Sequence, residues 1–235
     1  MDYKRREIIG GCTLYLGDCH DILPSLEAVD AVVTDPPYGI DIDFQLHKAG
    51  GTRPGRTLVR KKHYPVLNWD SAPISKQTLE FLLSISKYQI IFGGNYFELP
   101  PTNCFLVWDK QNGATKFADC ELAWTNLKKP VRMISWLWNG YIRKHGEERT
   151  HPTQKPVGVI EWCIKHLPND AQTILDPFMG SGTTLVACEK LGRNGIGIEL
   201  DPDYFEIACK RVDEATRQQD LFVAPPKPPE QEGLL

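Results

Sequence analysis

The chain has 235 residues, of which 41% are hydrophobic, and a formal net charge of −3. That length buries one full core, as one domain or as a domain with a small insertion, and the charge neither advertises nor excludes a nucleic-acid partner, since a local basic patch suffices. The first eleven residues are charged and no apolar run approaches about 18 residues, so neither a signal peptide nor a membrane span is expected and the default compartment is the cytoplasm. Seven cysteines, at 12, 19, 104, 120, 163, 188 and 209, include no C-x-x-C pair, so free thiols and no metal site are expected.

In chain order, Thr13 to Leu16 reads as a short strand running into Gly17-Asp18-Cys19, and Asp21 to Leu26 as a brief helix. Asp30 to Thr34 (DAVVT) is the next strand, stopped by Pro36 and Pro37. The two strands are expected to form a parallel unit with Asp18 and Asp35 at their carboxyl ends, facing one crevice. Asp18 reads equally well as a helix cap. The turn Thr34-Asp35-Pro36-Pro37-Tyr38-Gly39 is stiff, because proline fixes φ and offers no N–H. It holds an acid and an aromatic ring in one geometry, which suits a planar amine.

From Gln45 to Tyr64, Lys48, Arg53, Arg56, Arg60, Lys61 and Lys62 fall among glycines with no acid between them. Such a basic loop is expected to be solvated and to contact a phosphate backbone. Ser75 to Lys87 is an amphipathic helix with Ser75 as N-cap. Strands are expected at Gln89 to Phe92, Phe105 to Asp109, Glu121 to Trp124 and Met133 to Trp138, with the tryptophans as core or sheet-face aromatics. Polar loops between Lys110 and Lys116 and between Asn139 and Thr150 read equally as nucleic-acid contacts or as plain surface. His151-Pro152-Thr153-Gln154-Lys155-Pro156 leads into a helix over Val157 to Leu167.

Thr173 to Asp176 is a strand, Pro177 to Thr184 a glycine turn, Leu185 to Leu191 a helix, and Asn194 to Glu199 a further strand. Glu199 stands 19 positions after Gly180, where an acid accepts from ribose hydroxyls, and the glycines admit a ligand close to the backbone. The turn lacks the third glycine of a dinucleotide fingerprint, and there is no P-loop. Asp176 at its mouth repels phosphate and attracts an ammonium, so a nucleoside with a short cationic tail is the expected ligand.

DPPY at 35–38, HPTQKP at 151–156 and DPFMGSGTT at 176–184, in that order, resemble the beta class of amino-methylating DNA methyltransferases over residues 14–211. The resemblance implies an α/β fold, a circularly permuted Rossmann-like class I methyltransferase sheet in which the catalytic motif precedes the cofactor motif. It implies one catalytic domain over 1–214 with a small recognition region at about 112–150, S-adenosylmethionine as cofactor, and double-stranded DNA as substrate. Asp35, Pro36, Pro37 and Tyr38 are then catalytic. Phe178, Gly180, Ser181, Gly182 and Thr183 surround the cofactor, with Asp176 at its ammonium and Glu199 at its ribose. Asp18 and Cys19 lie beside its adenine, and Thr153 and Lys155 approach its carboxylate. An initial Asp in the catalytic motif favours adenine N6; relatives acting on cytosine N4 tend to carry Ser there, and cytosine is the alternative. An RNA or protein-glutamine methyltransferase and a non-catalytic DNA-binding module are the readings from other classes. Relatives often form homodimers.

The tail from 215 to 235 is expected to be extended and proline-rich. Gln218 to Phe222 (QQDLF) resembles the peptide by which replication proteins dock on the sliding clamp, although Leu221 and Phe222 packing on the last helix is the plainer expectation.

Overall fold

The computed structural model describes residues 2–40, 72–112, 118–138 and 154–220. The strands are β1 (Arg5–Ile9), β2 (Cys12–Leu16), β3 (Val29–Thr34), β4 (Ser86–Phe92), β5 (Cys104–Asp109), β6 (Cys120–Thr125), β7 (Arg132–Ser135), β8 (Thr173–Asp176) and β9 (Asn194–Glu199). The helices are α1 (Cys19–Ile22), α2 (Lys76–Ile85), α3 (Val157–Ile164), α4 (Thr183–Lys190) and α5 (Pro202–Asp220).

One sheet joins the strands in the order β1-β2-β9-β8-β3-β4-β6-β5-β7. Its centre, β2-β9-β8-β3-β4, is parallel, and β6 pairs antiparallel with both β4 and β5. Both faces of the central strands are covered, which is why they read as continuous apolar runs. Along β3, Ala31 and Val33 face a cluster built with α3, α4 and α5, whereas Val32 faces α1 and α2 with Leu82 and Ile85. The Ser75 side chain caps α2 by accepting from Thr78 N at 3.0 Å, as its position before the periodic run predicts.

Three features depart from the sequence reading. The N-terminal segment forms β1, a hairpin partner of β2. β2 and β3 are not neighbours, because β9 and β8 lie between them, yet Asp18 and Asp35 still face one crevice, as expected. The last helix runs on to Asp220 with Ala215 buried in the core, past the point at which the domain was expected to end. The basic loop at 45–64, Thr153, positions 113–117 and 139–150 of the expected recognition region, and Leu221 and Phe222 lie outside the described residues. No helix among the described residues is long and apolar enough to cross a membrane.

Ile174 is fully buried at the centre of the sheet, between Ala31 of β3 and Gly195 of β9. Truncation there leaves a void that flanking backbone cannot collapse into, so Ile174→Ala is expected to cost about 2–5 kcal/mol, measured by urea unfolding.

Candidate active site

The site forms where the sheet changes the side of its connections. α4 joins β8 to β9 across one face, and α2 precedes β4 on the other, so the neighbours β3 and β8 open a crevice beyond their carboxyl ends. The two strand ends are tied across it, with Thr34 Oγ1 donating to Asp176 Oδ1 at 2.7 Å. The cavity measures about 630 Å³. Asp18, Cys19, Asp176, Phe178, Gly180, Ser181, Thr183 and Glu199 line it, and Asp35, Pro37 and Lys155 line its other end.

The glycine turn is shaped by backbone that L side chains rarely adopt. Gly180 and Gly182 have φ of +52° and +78°. Gly182 does not line the cavity: it caps α4, and a Cβ there would stand 2.9 Å from Ala208 Cβ on α5. Its role is close packing of the turn on that helix. From the same helix Arg211 Nη1 donates to Ser181 O at 2.6 Å, Ser181 Oγ at 2.8 Å and Thr183 Oγ1 at 3.1 Å. The hydroxyls of Ser181 and Thr183 are thereby engaged from behind the turn.

Two carboxylates in this half have no ion-pair partner among the described residues. Burial pushes Asp176 up to about 6, against hydrogen bonds from Thr184 and Thr34. Burial pushes Glu199 up to about 7, although the backbone N–H of Asp201 donates to it at 2.8 Å. Asp18 caps α1: partial burial raises its carboxyl, but hydrogen bonds from His20, including N to Oδ1 at 2.9 Å, outweigh that and hold it below the usual range. Buried Cys19 is pushed up to about 12 and stays a thiol.

At the other end Asp35 is the hub of a charged cluster. Tyr38 Oη donates to Asp35 Oδ1, and Lys155 Nζ donates to Asp35 Oδ2. Lys155 Nζ also stands 3.0 Å from Glu121 Oε2, and Lys110 pairs with the other oxygen of Glu121. Lys155 is 7% exposed, so its charge depends on these acids. Burial raises Asp35 and outweighs the pull of Lys155, whereas Glu121, flanked by Lys155 and Lys110, lies below its ordinary value despite burial. Lys155 therefore meets Asp35, a partner other than the cofactor carboxylate to which the resemblance assigned it. Glu121 and Lys110 were not singled out in the sequence.

Tyr38 does not line the cavity. Its ring stacks on Tyr96 at 4.9 Å and 14° and meets the edge of Phe97 at 6.0 Å. Gly93, at φ +69°, admits it: a Cβ there would fall 2.2 Å from Tyr38 Cε1. The Pro37 carbonyl accepts from Ile74 N at 3.3 Å, leaving that of Pro36 without a donor among the described residues.

Residues 107–210 match the N6/N4 methyltransferase family described as DNA methylase. The type II methyltransferase M.ScaI of Streptomyces caespitosus is 27% identical over 89% of this chain and 83% of its own. M.HinfI of Haemophilus influenzae is 27% identical over 92% of this chain and 74% of its own. Over these spans the chain is similar to the amino-methylating DNA methyltransferases. Identity rises to 44% with M2.LlaDCHI of Lactococcus lactis subsp. cremoris, over 32% of this chain and only 29% of that protein. The crystal structure of the M1.HpyAVI–SAM complex superposes with a TM-score of 0.53 at 28% identity, covering 85% of this methyltransferase and 99% of that chain. PvuII DNA methyltransferase (cytosine-N4-specific), with a TM-score of 0.53 at 16% identity over 93% and 95% of the two chains, shares the fold.

The cofactor of this methyltransferase is S-adenosylmethionine, and the donor set fits it. A cavity of about 630 Å³ is ample for a nucleoside amino acid. Two buried acids lacking cationic partners suit an ammonium and ribose hydroxyls and would repel phosphate. Phe178, Ile198, Leu200 and Tyr204 supply apolar walls.

A carboxylate raised from 4.5 to about 7 binds its proton more tightly in the folded than in the unfolded chain. Stability contributed by Glu199 is therefore fully present below about pH 4.5 and lost as pH rises through about 7. Glu199→Gln is expected to gain stability relative to the parent between pH 5 and pH 8, by roughly 3 kcal/mol at most, measured by denaturant unfolding of the ligand-free protein at both pH values.

Proposed function

We propose that the enzyme transfers a methyl group to the N6 amino group of adenine in double-stranded DNA. The observation that carries this reading is the placement of Asp35, an acid raised by burial and hydrogen-bonded by Tyr38 and Lys155, at the rim of the cavity that the glycine turn and Glu199 complete. The initial Asp of the motif favours adenine; cytosine N4 is the second reading, in which the mechanism stands and the base changes.

Bound S-adenosylmethionine supplies an electrophilic methyl group. Asp176 is assigned to its ammonium, Glu199 to its ribose hydroxyls, and Asp18 with Cys19 to the neighbourhood of its adenine. Lys155 serves Asp35 in this reading. An exocyclic amine is a poor nucleophile because its lone pair is delocalised into the ring. Asp35 and the Pro36 carbonyl, accepting from its two N–H groups, draw it toward tetrahedral geometry and aim the lone pair. Asp35 then takes the proton that the methylated amine must lose.

A base inside a duplex cannot reach Asp35, so it is flipped out at a cost of a few kcal/mol. Stacking on Tyr38 would recover about 1–3 kcal/mol. The base would take the ring face that Tyr96, 49% exposed, now covers. Phosphate contacts are assigned to Arg53, Arg56, Arg60, Lys61 and Lys62.

Transfer of labelled methyl to unmethylated DNA, followed by nucleoside analysis, tests the proposal. The parent is expected to yield N6-methyladenine. Asp35→Ala is expected to lose about 10²–10⁴-fold in rate with cofactor binding retained. Methylated cytosine would replace the base assignment, and absence of transfer to any DNA by a cofactor-bound protein would refute the proposal.

A further inference from the structure

Lys155 stands between two acids of unequal position. Asp35 faces the cavity, whereas Glu121 stands behind Lys155 at the start of β6, with Lys110 on its far side. Among the described residues, the ionisable groups facing Asp35 are Lys155, Glu121, Tyr38 and Asp176. Those facing Glu121 are Lys155, Lys110, Asp35 and Tyr38, and Lys155 also faces the buried thiol of Cys163. An ammonium gripped by a single carboxylate neutralises it and removes its use as a proton acceptor. Here the second carboxylate draws on the same ammonium.

We infer that Glu121 is a positioning residue for amino-methylation: by holding one side of the Lys155 ammonium it limits the grip of Lys155 on Asp35, and so keeps Asp35 able to receive the amine proton. Lys110 works in the opposite sense. By occupying the other oxygen of Glu121 it weakens the hold of Glu121 on Lys155. The inference rests on the reading of Asp35 as proton acceptor.

The directions follow from charge. Glu121→Gln removes a negative charge that raises Asp35 and leaves Lys155 to Asp35 alone, so Asp35 becomes a weaker base. Lys110→Met frees Glu121 to draw Lys155 away, so Asp35 becomes a stronger base. Glu121→Asp retains the charge.

Two measurements test this on the full chain. The first is the pH dependence of kcat/KM for DNA methylation. Its acidic limb is expected to move down by about half a unit or more in Glu121→Gln, up in Lys110→Met, and to stay near that of the parent in Glu121→Asp. KM for S-adenosylmethionine is expected to be unchanged in all three. The second is a ¹³C titration of the aspartate carboxyls, with the Asp35 signal assigned by its absence from Asp35→Asn, which reports the same shifts without turnover. Opposite shifts in the two charge variants support the inference, and an Asp35 titration unmoved in folded Glu121→Gln overturns it. A moved Asp35 titration in a protein that methylates no DNA would instead sink the proposed reaction and leave the coupling of Glu121 to Asp35 standing.

Discussion

The Lys155 ammonium lies between acids carried by oppositely directed parts of the sheet, Asp35 just beyond the end of β3 and Glu121 at the start of β6. Little else could hold two carboxylates this close at so little exposure. Without that cation Asp35 would be an uncompensated charge in a largely enclosed site, a loss typically worth about 3–5 kcal/mol, and Glu121 would keep Lys110 alone. The arrangement works because β6 runs antiparallel to β4, with Ala123 opposite Phe92, so that its first residues reach the same end of the sheet as the last residues of the parallel strands. A wholly parallel sheet would have put Glu121 at the far end from Asp35. The reversal of one strand is therefore part of the site.

The other half of the cavity is organised by the absence of such a partner. Asp176 and Glu199 are raised by burial and answered only by hydrogen bonds. The Thr34–Asp176 hydrogen bond ties this half to the one with Asp35. That bond joins the mouth of the glycine turn to the end of β3, and Arg211 holds the turn from α5.

Local chemistry made much of this legible. The apolar runs of β3, β8 and β9 are buried on both faces and so look like strands in isolation, and Thr173–Asp176 and Asn194–Glu199 have the bounds that their sequences suggest. Prolines and glycines marked both turns of the site. What could not be read was anything that depended on strand order or direction. β1 carries arginines and a glutamate because its outer edge meets solvent and α5, where Arg5 pairs with Glu206, and so it lacks an apolar signature. Glu121 looked like any polar residue opening a strand, and Lys110 like a loop lysine. Gly182 read as a ligand contact because it stands among residues that line the cavity; the approach of Ala208 shows its packing against α5.

Chain order has a further consequence. Cys12 pairs with Gly195 and Ala31 with Ile174, so the first apolar strands made during synthesis wait for nearly the whole of the rest of the chain before their own partners exist. Such non-local pairing makes folding slow and leaves apolar strand edges open in the interval. β1 shields one edge of β2 early, through a hairpin at Gly10 and Gly11, and β4 can pair with β3 on its other side. The edges still bare at that stage are those that β8 and β9 later fill. The cavity is thus closed by the last strands to emerge among the described residues, and a chain interrupted before them would have Asp35 in place without Asp176 and Glu199 to complete the crevice.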